Sequence, residues 1–194
     1  SGLLRQRIED GQMADIFASA NMAHPRSLAE AGKAGEVVLF ARNRLCALTR
    51  AGLEADSGTL LDVMLDPAVR VGTSTPKADP SGDYAFALFD KAGTMRPGAD
   101  ETLKAKSLQL TGAADSATPP EGRNPYDWVM SEDRADLFLT YCTNALLAQK
   151  DTPGLHVVAI PASLSVGADY GLAILNGAPP QARALADFIL SAEG

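Results

Sequence analysis

The chain has 194 residues, of which 46% are hydrophobic and 21% are charged. This is typical of a globular protein and is enough for one medium domain or two small lobes. The formal net charge of −7 argues against nucleic acid and anionic membrane surfaces as partners. The longest apolar run, residues 155–161, has the length of a strand, so no membrane insertion is expected. Ser1 already opens a predicted helix, so no signal peptide is expected in the chain.

Helices and strands alternate along the sequence. In chain order the predicted elements are a helix at 3–9, a strand at 14–20, a helix at 26–34, strands at 37–40 and 45–49, a helix at 59–65, a strand at 69–72, a helix at 82–92, a helix followed by a strand within 100–110, a loop at 113–124, a helix at 125–132, a strand at 137–142, a short helix at 144–149, strands at 155–161 and 171–175, and a last helix from Pro179 and Pro180 to Leu190. This order predicts an α/β fold with largely parallel sheets, in which ligands bind beyond the carboxyl ends of the strands.

Three places combine a small polar residue, a tight turn and the start of a predicted helix. They lie at Ser1-Gly2, Ser81-Gly82 and Arg123-Asn124. A helix amino end offers unpaired N–H groups and about half a positive charge, and a glycine lets an anion approach the backbone closely. If the three ends converged on one point, they would bind a tetrahedral dianion without a lysine.

Neutral donors are strong enough for this purpose. Hydrogen bonds to a charged group contribute roughly 1.5–3 kcal/mol each, and a micromolar Kd needs about 8 kcal/mol. The structural alternative is that each helix start is only an ordinary cap, and spacing in the sequence does not show whether the three converge.

The other chemically capable residues favour structural roles. Cys46 and Cys142 either form one disulfide in an oxidising compartment or remain two buried thiols. His24 and His156 have no carboxylate or cysteine at metal-ligand spacing, so we expect both at the surface and predict no metal site and no cofactor. Asp83 is expected to face solvent and to favour the helix dipole. No nucleophile elbow or phosphate-binding fingerprint occurs, which argues against an enzyme.

Taken together, these segments resemble the periplasmic molybdate-binding proteins of ABC transporters. The likeness runs, in the order of that family, through residues 1–11, 14–20, 70–72, 80–85, 139–141, 157–161 and 170–176, and then the last helix. It covers essentially the whole chain and is specific as an ordered set. The resemblance implies a two-lobed type II periplasmic-binding fold with an oxyanion clamped between the lobes.

The resemblance also implies a set of ligand residues. Ser1 matches a hydroxyl ligand, and Tyr141 matches the tyrosine ligand. Ser81 falls on a ligand position at a helix start, and residues 123–124 fall near a position that donates a backbone N–H. The implied oxyanion-binding set is Ser1, Ser81, Gly82, Arg123, Asn124 and Tyr141.

The chain also departs from the family pattern. It is expected to begin one β-α unit late and to end early after Gly194, and Arg123 places a cation where the family often has a neutral residue. The predicted lobe 1 comprises residues 1–47 and 167–194, and the predicted lobe 2 comprises residues 48–166. Cys46 and Cys142 lie near the predicted hinge strands, so a bond between them would restrict lobe motion.

The resulting prediction is a monomeric, catalytically inert, extracytoplasmic solute-binding protein. It would capture molybdate or tungstate and deliver the ion to the membrane permease of an ABC importer. Two alternatives stay open: a binding protein for another small anion, such as sulfate or an organic anion, and a cytoplasmic ligand-sensing regulatory domain of the same fold.

Overall fold

The computed structural model describes residues 1–194. The elements in chain order are α1 (Gly2–Glu9), β1 (Ile16–Ser19), α2 (Ala23–Glu30), β2 (Ala34–Thr49), α3 (Leu60–Leu65), β3 (Val71–Ser74), α4 (Pro80–Met95), α5 (Ala99–Lys106), β4 (Leu108–Thr111), α6 (Pro125–Ser131), β5 (Leu137–Tyr141), α7 (Cys142–Asp151), β6 (His156–Ala159), β7 (Gly167–Leu175) and α8 (Pro180–Ile189). No helix is both long enough and apolar enough to cross a bilayer.

The chain divides into two compact units. The first unit comprises residues 1–43 and 168–194, and the second comprises residues 44–167. The boundaries expected from the sequence were 47 and 166.

The first unit is built from α1, α2, α8, β1, most of β7 and the first part of β2. Strand β1 pairs antiparallel with β7, with Ile16 opposite Ile174. Its apolar core consists of Phe17, Leu28, Ala34, Ala173 and Leu175. These side chains cover the face of the β1–β7 pair on which α2 packs.

One histidine prediction is wrong. His24, expected at the surface, is only 6% exposed, whereas His156 is exposed as predicted. His24 lies four residues before Leu28, so both side chains fall on the buried face of α2.

Strand β2 is a single strand, although two separate strands were predicted. Two polar residues that lie between the predicted strands, Arg42 and Asn43, have partners in the first unit. The Arg42 guanidinium donates to Asp169 at 2.9 Å, and the Asn43 amide donates to the Tyr170 hydroxyl at 3.1 Å. Alternating exposure along this part of the strand lets charged side chains stand on one face without ending it.

The second unit has a five-stranded sheet in the order β6-β2-β5-β3-β4. Strand β3 runs parallel to β4 and β5, whereas β2 runs antiparallel to β5 and β6. The predicted α/β class is therefore confirmed, but the sheet is mixed rather than mainly parallel. Because β3, β4 and β5 are parallel, their carboxyl ends meet at one edge, which we call the carboxyl edge.

At the opposite, amino edge of this sheet, Asp136 holds three strand ends together. Its side chain accepts hydrogen bonds from the Arg70 backbone N–H at 2.8 Å and from the Arg50 guanidinium at 2.7 Å. The Arg70 guanidinium also donates to it at 3.0 Å. These bonds, those of Arg70 first, hold the pKa of Asp136 well below its usual range.

Candidate functional site

The carboxyl edge of the second unit carries a concentration of hydroxyl groups. Ser74 ends β3, Thr111 ends β4 and Tyr141 ends β5. Helices α4 and α7 begin just beyond β3 and β5, so their amino ends face the same edge. This is the place where ligands bind in sheets of this kind.

The hydroxyls of Ser74 and Thr111 form a buried cluster with that of Ser81, which lies in the first turn of α4. The Ser81 hydroxyl donates to the Ser74 hydroxyl at 2.9 Å, and the Ser74 and Thr111 hydroxyls lie 2.8 Å apart. Ser74 and Ser81 have no exposed surface, and Thr111 is 8% exposed. We call Ser74, Ser81 and Thr111 the hydroxyl cluster. Since the Ser81 proton is directed to Ser74, this hydroxyl serves the cluster before it can serve any ligand.

Tyr126 extends the cluster from α6. Its phenol is within hydrogen-bonding reach of the side chains of Thr140, Ser74 and Asn144. Burial, followed by the negative charge of Asp79, raises the pKa of Tyr126, and the hydrogen bonds only partly offset these effects. The phenol is therefore a neutral donor at any physiological pH.

The start of α4 differs from the sequence prediction. The helix begins at Pro80, and Asp79 caps it by accepting the Ser81 backbone N–H at 2.9 Å. The Gly82 N–H is bonded to the Asp79 carbonyl at 2.9 Å. The first donors of α4 are therefore used within the protein, and a carboxylate lies where an anion was expected.

Gly82 is required by close packing. A Cβ at this position would lie 2.5 Å from the Ser74 carbonyl oxygen, which is backbone and cannot move aside easily. Because glycine has no Cβ, α4 can pack closely against the end of β3, and this brings the Ser81 hydroxyl to the Ser74 hydroxyl. Asp83, expected to face solvent, is partly buried and accepts the Lys77 N–H at 2.7 Å.

The start of α6 is also internally satisfied. The Asn124 side chain accepts the N–H groups of Tyr126 at 2.9 Å and Asp127 at 3.3 Å, and Pro125 has no N–H. The Arg123 guanidinium donates to the buried Asp127 carboxylate at 3.0 Å and to the Ser131 hydroxyl. Arg123 and Asn124 thus hold the first turn of α6 in place.

Tyr141 lies at the junction between β5 and α7. It is 7% exposed, pairs with Leu45 on β2, and its ring stands edge-on to the Tyr84 ring with centroids 6.3 Å apart. It is the N-cap residue of α7, but no side chain caps this helix. Among α4, α6 and α7, only α7 lacks a side-chain cap. The N-cap side chain therefore does not occupy the amino-end backbone donors of α7.

Ser1 belongs to the first unit. It is the N-cap residue of α1 without a side-chain capping bond, and its hydroxyl accepts the Ala20 N–H at 3.4 Å. Next to Ala20 in the chain, the buried Ser19 hydroxyl donates to the Asn21 side chain at 3.1 Å. The Asn21 side chain in turn accepts the His24 N–H. The first unit thus has its own small polar set where β1 ends.

The structure places five of the six predicted residues in the second unit and Ser1 in the first. Of the five, Ser81, Gly82 and Tyr141 lie at the carboxyl edge, whereas Arg123 and Asn124 hold the first turn of α6. The sequence reasoning missed Asp79, Ser74, Thr111, Tyr126 and Thr140. An Asp-Pro pair before a helix is a cap signature that could have revealed Asp79. No group of three or more His, Cys, Asp or Glu residues is positioned to hold a metal ion.

A disulfide lies directly beside Tyr141. Cys46 of β2 is bonded to Cys142, the first residue of α7, which answers the question left open by the sequence. Both residues belong to the second unit, so the bond joins two elements of that unit. The restriction of lobe motion expected from such a bond is therefore not its direct effect.

Comparison with solved structures identifies the fold. The chain matches the periplasmic molybdate-binding protein of Azotobacter vinelandii with a TM-score of 0.70, 19% identity and coverage of 100% of this chain and 79% of the other. It matches the sulfate-binding protein SubI of Mycobacterium tuberculosis with a TM-score of 0.76, 19% identity and coverage of 100% and 69%. The fold is that of periplasmic binding proteins.

Sequence comparison identifies the family. The profile of the bacterial extracellular solute-binding proteins matches residues 1–194. An uncharacterised protein of Pasteurella multocida is 39% identical over 191 residues, which are 98% of this chain and 78% of the relative. The chain belongs to the family of bacterial extracellular solute-binding proteins.

Proposed function

We propose that this protein captures a small oxyanion outside the cytoplasm and delivers it to the permease of an ABC importer. Molybdate is the first candidate, and tungstate, which has nearly the same size and charge, is equivalent to it. In this proposal the protein is a monomer that performs no catalysis and needs no cofactor.

The observation that carries the proposal is the concentration of neutral donors at the carboxyl edge. Tyr141 and the uncapped start of α7 are the proposed direct ligands, with the hydroxyl cluster behind them. Neutral hydroxyls and N–H groups bind a dianion without the cost of burying a cation. Ser1 is proposed as a further hydroxyl donor, in the first unit.

Two other findings support the proposal. The family is one of extracellular solute-binding proteins, and two proteins of the same fold are described as binding molybdate and sulfate. The Cys46–Cys142 disulfide fits an oxidising compartment. Both findings support the proposed localisation in the periplasm or outside the cell.

A second candidate ligand is favoured by Asp79. A carboxylate at the start of α4 repels a fully deprotonated dianion but accepts a hydrogen bond from an anion that carries a proton or a hydroxyl. An organic anion or a protonated phosphate would meet that condition.

The proposal is tested by calorimetric titration with molybdate, tungstate, sulfate and phosphate. We expect molybdate and tungstate to bind with micromolar or tighter Kd and the other two ions more weakly. Trp128, the only tryptophan, lies in α6 beside the Arg134 guanidinium and gives an independent fluorescence signal. Heat-free titrations with all four ions, together with unchanged fluorescence, would refute the oxyanion proposal.

A further inference from the structure

The Cys46–Cys142 disulfide lies next to Tyr141, the proposed ligand residue, where it can restrict the position of that side chain. Cys142 follows Tyr141 directly and is the residue at which β5 gives way to α7. Its partner Cys46 is 96 residues away in the chain. The bond therefore ties the strand-to-helix junction to a distant segment.

Cys46 is a firm anchor. It lies in β2 between two neighbouring strands, opposite Thr140 of β5 on one side and Ala159 of β6 on the other. Both sulfur-bearing residues are buried, at 5% and 8% exposure, within the apolar core that also contains Leu48 and Phe138. An anchor hydrogen-bonded on both edges and packed in a core has little freedom to move.

The start of α7 is held against the sheet by the disulfide and by a hydrogen bond at 3.4 Å from the Asn144 amide to the Thr140 hydroxyl. The β5–β2 ladder holds the Tyr141 backbone only as far as its pairing with Leu45, which is its last pair. Beyond it, no side chain caps α7. The disulfide is the covalent link among these restraints, and it fixes Cys142, the first residue of α7, to β2.

We propose that the Cys46–Cys142 disulfide is a positioning device for ligand binding: it holds Tyr141 and the first turn of α7 in the arrangement that the anion requires. This inference rests on the proposed function. Ligand affinity falls steeply when donors move by even a fraction of an ångström, because each bond to the anion is directional. Loss of the disulfide therefore weakens binding more than it disturbs the rest of the unit.

The test compares the double variant Cys46→Ala/Cys142→Ala with a control that loses stability elsewhere in the same unit. Leu103→Ala in α5, where Leu103 has no exposed surface, is the matched control. Molybdate Kd is measured for both at a temperature at which circular dichroism shows them folded. We expect the double variant to bind at least about tenfold more weakly and the control to bind within about twofold of wild type.

Hydrogen exchange gives a second readout that needs no ligand. In the double variant, the amides of residues 146–149, which hydrogen-bond to the carbonyls of the first turn of α7, should exchange faster than in wild type, whereas amides in α4 should not change. If the double variant does not fold, wild type reduced by a phosphine in the cold replaces it in both measurements.

Three outcomes are distinguishable. Weaker binding with faster exchange confined to α7 supports the inference. Equal Kd values for wild type and the double variant overturn it but leave the proposed function intact. Absence of binding by oxidised wild type refutes the proposed function and the inference with it.

Discussion

Replacement of Asp79 by asparagine isolates the effect of one charge at the candidate site. Asparagine is as good an N-cap as aspartate, and its side-chain oxygen can still accept the Ser81 N–H that Asp79 accepts at 2.9 Å. The variant therefore removes the negative charge while keeping the geometry of α4. We expect a dianion to bind more tightly, since its repulsion by Asp79 is gone.

The magnitude follows from Coulomb's law. A carboxylate and a dianion about 4 Å apart repel each other by about 2 kcal/mol in water and about 8 kcal/mol at an effective dielectric constant near 20. Asp79 is partly exposed, so solvent and salt screen the repulsion toward the lower value. We therefore expect a gain of about 1.4 kcal/mol, which is a tenfold lower Kd for molybdate.

The assay is calorimetric titration of wild type and Asp79→Asn with molybdate at two salt concentrations. The gain should shrink at the higher concentration, because screening already weakens the repulsion in wild type. Asp151→Asn, at the exposed end of α7, makes the same change in net charge away from the site and should leave Kd unchanged. Weaker binding by Asp79→Asn would contradict the reasoning and would mean that the carboxylate accepts a hydrogen bond from the ligand.

Three further predictions concern other parts of the second unit. Tyr141→Phe should weaken molybdate binding by about 1.5–3 kcal/mol, measured by calorimetry, whereas Tyr170→Phe in the first unit should not. Gly82→Ala should destabilise the protein by about 1–3 kcal/mol in urea unfolding, because its Cβ meets the Ser74 carbonyl oxygen. Asp136→Asn should lower the free energy of unfolding by about 2–3 kcal/mol. Folding lowers the pKa of Asp136, so its contribution to the free energy of unfolding of wild type is complete above about pH 4 and is lost as acid protonates it. An acid-unfolding curve would show this loss. A wild-type curve identical to that of the variant would contradict this assignment.

The sequence predicted most elements of the fold because its signals are local. Pro179 and Pro180 correctly predicted the start of α8. The stretch at 113–124, which is rich in Pro, Gly and Ser, was correctly predicted as a loop. The direction in which β2 pairs with its neighbours is set by tertiary contacts, so the expectation of mainly parallel sheets was wrong. His24 was misplaced because α2 begins at Ala23 rather than at residue 26, which puts His24 on the same buried face as Leu28.

The candidate site was only partly predictable, for a similar reason. Ser81 and Tyr141 were found through family resemblance and local helix-start chemistry. Ser74 and Thr111 are separated by 37 positions and meet only because β3 and β4 pair in parallel. The caps of α4 and α6 have a local signature in the sequence, Asp79-Pro80 and Asn124-Pro125, but whether the cap side chain occupies the first donors depends on its rotamer.

The most direct measurement is therefore a calorimetric titration of wild type and Tyr141→Phe with molybdate under identical conditions. The account predicts micromolar or tighter binding by wild type and at least about tenfold weaker binding by the variant. Equal affinities for the two proteins would contradict the assignment of the site to the junction of β5 and α7.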